Sequence, residues 1–201
     1  NVRWSTPLAT NIYLNSGVGD TTTLQLEQDL SFAPNYMISV TEAGGALNRI
    51  LGQGYKLSFG GDSSAPTTIP YSQRWADVNV NLTGPAGLTS LKTLEMSGNW
   101  SINGHGNVWA FGGGAVLEHT GSSALIQDVV FTGLEEGSFN SGGTITFVNT
   151  TFNQDSMDFS LTFDGPVSST GSFYSGVVYI GDGSKLALNK SMALNDLWYV
   201  T

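Results

Sequence analysis

The chain has 201 residues, of which 40% are hydrophobic and only 11% charged, with seven Lys and Arg against sixteen Asp and Glu and a net charge of −9. Seven basic residues cannot build a large cationic patch, so nucleic acid and anionic membrane surfaces are excluded as partners. There is no cysteine, hence no disulfide framework and no thiolate metal site, and no run of about 18 apolar residues for a membrane-spanning helix.

Asn, Ser, Thr and Gly must cover the surface in place of charges, a composition that suits strands and turns better than helices. In chain order, the one helix-like window is Glu42–Leu51, "EAGGALNRIL", which two glycines weaken. Short alternating segments follow, most of them ending in glycine: "YKLSFGG" (Tyr55–Gly61), "DVNVNLTG" (Asp77–Gly84), "ALIQDVVFTG" (Ala124–Gly133), "GTITFVNTTF" (Gly143–Phe152), "MDFSLTFDG" (Met157–Gly165) and "SGVVYIGDG" (Ser175–Gly183). "LNDLWYV" (Leu194–Val200) reads as a last strand that caps or continues the array. Such a series predicts an all-β fold. No linker or composition break divides residues 1–201, so they read as one domain. Asn1 is not an initiator Met, and the chain is expected to be a piece of a longer exported protein.

A repeat carries most of the information. Ile50-Leu-Gly52-Gln-Gly54-Tyr-Lys-Leu57-Ser-Phe59-Gly60-Gly61 matches Ile102-Asn-Gly104-His-Gly106-Asn-Val-Trp109-Ala-Phe111-Gly112-Gly113. The copies continue as 50–87 and 102–137, with Asp77-Val78 corresponding to Asp128-Val129. A unit of several short strands cannot bury both faces alone, so copies must stack and share a core. Parallel stacking predicts a β-helix in which the repeat spans two coils and each strand lies on its equivalent in the other copy. Leu57, Phe59, Trp109, Phe111, Val129, Phe131, Ile145, Phe147, Phe159, Leu161 and Phe163 are expected inside, on alternate strand positions, with glycines at the corners. The alternative architecture is an antiparallel β-sandwich, as in a phage-type receptor-binding or lectin-like domain.

The segment "INGHGNVWAFGGGAVLEHTGSSALIQDVVFTGL" resembles the coils of right-handed parallel β-helices of the pectin-lyase-like class, in particular bacterial surface and autotransporter-passenger-like proteins. Gly44-Gly45-Ala46-Leu47 and Gly113-Gly114-Ala115-Val116 also resemble the GGA[ILV] motif of chlamydial polymorphic membrane proteins. The resemblance implies a right-handed single-chain β-helix. It also implies an extracellular or cell-surface location and a structural or adhesive role without catalysis.

Candidate chemistry is sparse. Gly104-His105-Gly106 matches one motif of polygalacturonase-like enzymes, but their Asn-Thr-Asp, Asp-Asp and Arg-Ile-Lys partners are missing, and the first copy has Gln53 where the second has His105. His105 therefore reads as a turn residue. A dinucleotide loop fails because Trp109 and Leu57 stand where G-x-G-x-x-G needs its third glycine. With two histidines, His105 and His119, and no cysteine, no zinc site is expected. Asp155 and Asp158 are a candidate Ca²⁺ pair on a turn, and no other metal and no cofactor is implied. Tyr71, Arg74 and Trp75, in an irregular stretch, are the candidate binding residues, able to stack on a sugar or peptide if exposed. The expected partner is an extracellular protein or glycan, with end-to-end self-association through open end coils. The competing function is a polysaccharide lyase or glycoside hydrolase on the same scaffold.

Overall fold

The computed structural model describes residues 5–15, 21–41, 48–133, 139–141, 144–148, 150–152, 160–163, 167–170, 177–180, 186–188 and 198–200. Its strands are two to five residues long, and no helix occurs among the described residues. Every pair of strands is parallel. Parallel neighbours cannot be joined by a hairpin. Here the chain visits three faces in turn and returns to each one coil later, so each strand bonds to the corresponding strand of the next coil. The result is a parallel β-helix, as the repeat predicts, and the antiparallel sandwich is excluded.

Among the described residues, the first face is a nine-stranded sheet that includes Thr23–Gln25, Arg49–Leu51, Gln73–Ala76, Leu94–Ser97 and Leu117–His119. The second has eight strands among the described residues, including Lys56–Phe59, Asn79–Leu82, Asn99–Asn103 and Ser123–Gln127. The third has five among the described residues: Thr67–Ile69, Leu88–Ser90, Val108–Phe111, Val130–Thr132 and Thr151–Phe152. Ile12–Asn15 and Ile38–Thr41 form a separate pair at the start of the stack. The helix-like window at Glu42–Leu51 ends in a strand instead. Arg49, Ile50 and Leu51 alternate exposed, buried and half-buried on the first face, and residues 42–47, with the Gly44–Leu47 motif, lie outside the described residues.

Alternation sends one side of every strand into a continuous core, and the in-register stack aligns its residues in columns. Leu57, Val80, Ile102 and Ile126 form one such column on the second face. Leu88, Trp109 and Phe131 form one on the third. Leu57, Phe59, Trp109, Phe111, Val129, Phe131 and Ile145 are all buried as expected. The side chains of Phe147, Phe159, Leu161 and Phe163 lie outside the described residues.

Among the described residues, three tryptophans sit in this core, and each explains a buried polar residue. Trp75 Nε1 donates to Gln73 Oε1 at 2.8 Å, Trp100 Nε1 to His119 Nδ1 at 2.8 Å, and Trp109 Nε1 to Ser90 Oγ at 2.9 Å. A buried indole N–H without an acceptor would cost about 1–3 kcal/mol. Gln73, Ser90 and His119 remove that cost from inside the coil. The bond from Trp100 also fixes the imidazole of His119, because an Nδ1 that accepts must leave the ring hydrogen on Nε2.

The two copies of the repeat share a geometry but do not lie on one another, which corrects the expected register. Gly52-Gln53-Gly54 turns the chain from the first face to the second, whereas Gly104-His105-Gly106 turns it from the second to the third. Leu57 stacks on Leu30 and Val80, while Trp109 stacks on Leu88 and Phe131. Locally the corners are the same object. Gln53 and His105 take φ of 54° and 52°, and Gly54 and Gly106 both take 80°. Gly54 N donates to Asp77 O at 2.8 Å, and Gly106 N to Asp128 O at 2.7 Å. Each Gly-x-Gly corner thus packs on the Asp-Val corner of the following coil. The pattern encodes a corner, and the triangular coil uses it at two of its vertices.

An exposed clamp ties two other coils. Asn35 Nδ2 donates to Asp62 Oδ2 at 2.9 Å, and Asp62 N donates back to Asn35 Oδ1 at 3.3 Å. Hydrogen bonds from the Ser64 hydroxyl and N–H, then from Asn35 and Ala65, lower the Asp62 carboxyl from its ordinary 3.8 to about 2. A lowered folded-state value means stability that is complete above 3.8 and lost as pH falls through about 2. Asp62→Asn should therefore melt below the parent at neutral pH, with the gap closing between pH 4 and 2. Thermal scans across that range check it, and a pH-independent gap would remove the carboxylate from the account.

Candidate functional site

On the outer side of the first face, one column of register partners carries charge. Thr23, Arg49, Arg74, Glu95, Glu118 and Asn140 are successive register partners. The column beside it holds Leu51, Ala76 and Ser97. Of these residues, Arg49, Arg74, Glu95, Leu51, Ala76 and Ser97 line a recess of ≈ 450 Å³, together with Thr21 and Trp75. Neighbouring parallel strands lie about 4.8 Å apart, so charges in one column interact directly.

The electrostatics of the column follow from its order. Arg74 Nε donates to Glu95 Oε2 at 2.7 Å. Both side chains are partly exposed, so the pair contributes about 0–1 kcal/mol. Arg49 is the register neighbour of Arg74 on the side away from Glu95. Its Nε donates to Thr23 Oγ1 at 3.1 Å, a neutral partner. Two of the seven basic residues of a chain with net charge −9 are thus stacked side by side, an arrangement that like-charge repulsion disfavours.

The three candidate residues from the sequence do not form one platform. Arg74 is exposed in the recess, and Tyr71 is 45% exposed but is not part of its lining. Trp75 is a correction: it is 1% exposed, its ring meets Phe59 edge-on at 5.8 Å, and it cannot stack on a ligand. Strand alternation in Gln73–Ala76 turns Arg74 outward and Trp75 inward. Arg49 and Glu95 went unnoticed, although a signal exists. Arg49, Arg74, Glu95 and Glu118 recur at coil-length intervals, each at the middle of a short strand or beside it.

The histidines are far apart in role. His105 is exposed at its corner, with Nε2 2.6 Å from Asn81 Oδ1, and His119 is buried on the first face. Among the described residues, no group of three His, Cys, Asp or Glu is placed to hold a metal ion. Asp155 and Asp158 lie outside the described residues.

On the outer surface of the second face, polar side chains bond to one another. On the second face Ser101 Oγ donates to Asn79 Oδ1 at 2.7 Å, and Ser123 Oγ to Asn99 Oδ1 at 2.8 Å. These bonds run from coil to coil, so they hold neighbouring polar side chains in fixed relation. No family model, no curated protein and no solved structure matches the chain.

Proposed function

We propose that this chain is a non-catalytic scaffold from an exported surface protein of the autotransporter-passenger type. It presents a polar face to an extracellular protein or glycan. The observation that carries the reading is the coil-to-coil bonding of the outer Asn and Ser side chains. Polar groups already ordered by the fold lose little side-chain entropy when a partner binds them. The low charge, 11% of residues, and the absence of cysteine agree with this use. The test is binding of the immobilised chain to panels of extracellular proteins and glycans. Saturable capture that survives His105→Gln supports the scaffold, and absence of capture across both panels overturns it.

One observation favours the enzyme reading as a second possibility. Glu95 and Glu118 are register neighbours on the first face, and paired carboxylates about 5–9.5 Å apart are what glycoside hydrolysis requires. Incubation with polysaccharides separates the two readings. Release of new reducing ends that Glu95→Gln and Glu118→Gln both abolish establishes hydrolysis, and no release removes it.

A further inference from the structure

We infer that the recess on the first face is a binding site for an oxyanion, carboxylate or sulfate, borne on a saccharide, and that Arg49 is its main contact. The inference deepens the scaffold reading by naming a place and a ligand class. Three observations converge on it. Arg49 is exposed and bonds through Nε to a neutral hydroxyl, Thr23 Oγ1. Among the described residues, the carboxylate of the column that meets an arginine, Glu95, is already engaged by Arg74, one strand further on. The recess lies over this column, and its ≈ 450 Å³ falls in the range of small-ligand sites, about 300–1,000 Å³.

The physical argument is one of unbalanced charge. Arg74 and Glu95 offset each other, whereas among the described residues Arg49 meets no carboxylate and has Arg74 as the adjacent cation. A bound anion would relieve the Arg49–Arg74 repulsion as well as form charge-assisted hydrogen bonds to a planar guanidinium. The rest of the lining suits a sugar body. Thr21 and Ser97 supply hydroxyls, Glu95 accepts from sugar hydroxyls, and Leu51 and Ala76 form an apolar strip for the ring's C–H groups.

The experiment is a titration of the 201-residue chain with glucuronate, glucose 6-sulfate and glucose, followed by NMR of the arginine Nε–H groups and by calorimetry. Both anionic sugars should shift the Arg49 signal and bind, and glucose should do neither at the same concentration. Arg49→Ala should weaken the anionic sugars about tenfold or more, with Arg49→Lys intermediate and Lys56→Ala, which removes an exposed cation from the second face, unchanged. The thermal midpoint of Arg49→Ala should match the parent, which keeps loss of fold out of the result. Binding by one anionic sugar alone assigns the site to carboxylate or to sulfate. Equal binding of glucose, or undiminished affinity in Arg49→Ala, overturns the inference. The scaffold reading fails separately, if the panels show no capture while the anions still bind.

Discussion

Gly104→Ala should cost on the order of 3 kcal/mol, although it adds one methyl group to a turn next to exposed residues. A Cβ at Gly104 would lie 2.4 Å from the Asp128 carbonyl oxygen and 2.7 Å from Val129 Cγ2. The first of these is main chain of the adjoining coil, so the clash can be relieved only by prising two coils apart. Gly52→Ala should behave alike, since its Cβ would meet Asp77 O at 2.3 Å and Val78 Cγ2 at 2.7 Å. Gly106→Ala provides the contrast. That residue has φ of +80° but nothing within 4 Å of an added Cβ, so only the left-handed backbone penalty of about 1–2 kcal/mol applies. His105→Gln, which copies the first corner, should stay within about 0.5 kcal/mol of the parent. Urea midpoints at constant m-value check the order. If Gly104→Ala unfolds with the parent, coil-to-coil contact is not what holds the corner.

The second large effect is expected at Trp109. Its side chain is fully buried, stacks in register between Leu88 and Phe131, and has the rings of Phe111 and Phe131 at 6.4 and 6.1 Å. Trp109→Ala should cost about 3–5 kcal/mol, from lost burial and the cavity left behind. The more informative variant is Trp109→Leu, which installs the residue of the equivalent repeat position, Leu57. If the copies were interchangeable, the change would be nearly silent. Because Trp109 fills the third face and Leu57 the second, it should cost about 2 kcal/mol or more. It also strips Ser90 Oγ of its indole donor. Measured unfolding free energies decide the matter, and a neutral Trp109→Leu would mean that the two sites have equivalent surroundings after all.

These two sites show where the sequence is legible. A Gly-x-Gly corner is a local constraint. The first glycine is required because the next coil's main chain passes where a Cβ would be, and the second because the backbone is left-handed there. Both requirements recur wherever the corner recurs, so the residues repeat and the eye finds them. Alternation is equally local, which is why Phe59, Phe111 and Phe131 could be placed inside from their spacing alone.

The vertex that each corner occupies is not local. Ile50 pairs with Trp75 and Trp75 with Met96, steps of unequal length, so two coils end six residues short of Ile102. The second copy therefore begins on the next face. The lengths of loops accumulate to set the phase, and a constant offset between copies carries no trace of them. The same loss hid the charged column. Arg49, Arg74, Glu95 and Glu118 belong to four separate stretches of sequence and share a surface only through parallel register. Trp75 was misplaced for a related reason. Pro70, Gln73 and Arg74 disguise a strand whose apolar member is turned inward by the core.

By itself, the sequence determined the class of fold, through short alternating strands and glycine corners that each satisfy a constraint between nearest neighbours. It also placed His105 on a turn, because the other copy of that turn has Gln53 at the same position. Only the tertiary structure decided which faces the copies occupy, which tryptophans meet Gln73, His119 and Ser90, and that Arg49 lies beside an arginine already paired with Glu95. Apart from Trp75 and Gln73, two residues apart on one strand, those relations join residues about one coil apart, and the register that brings them together is set by how the whole stack closes over its core.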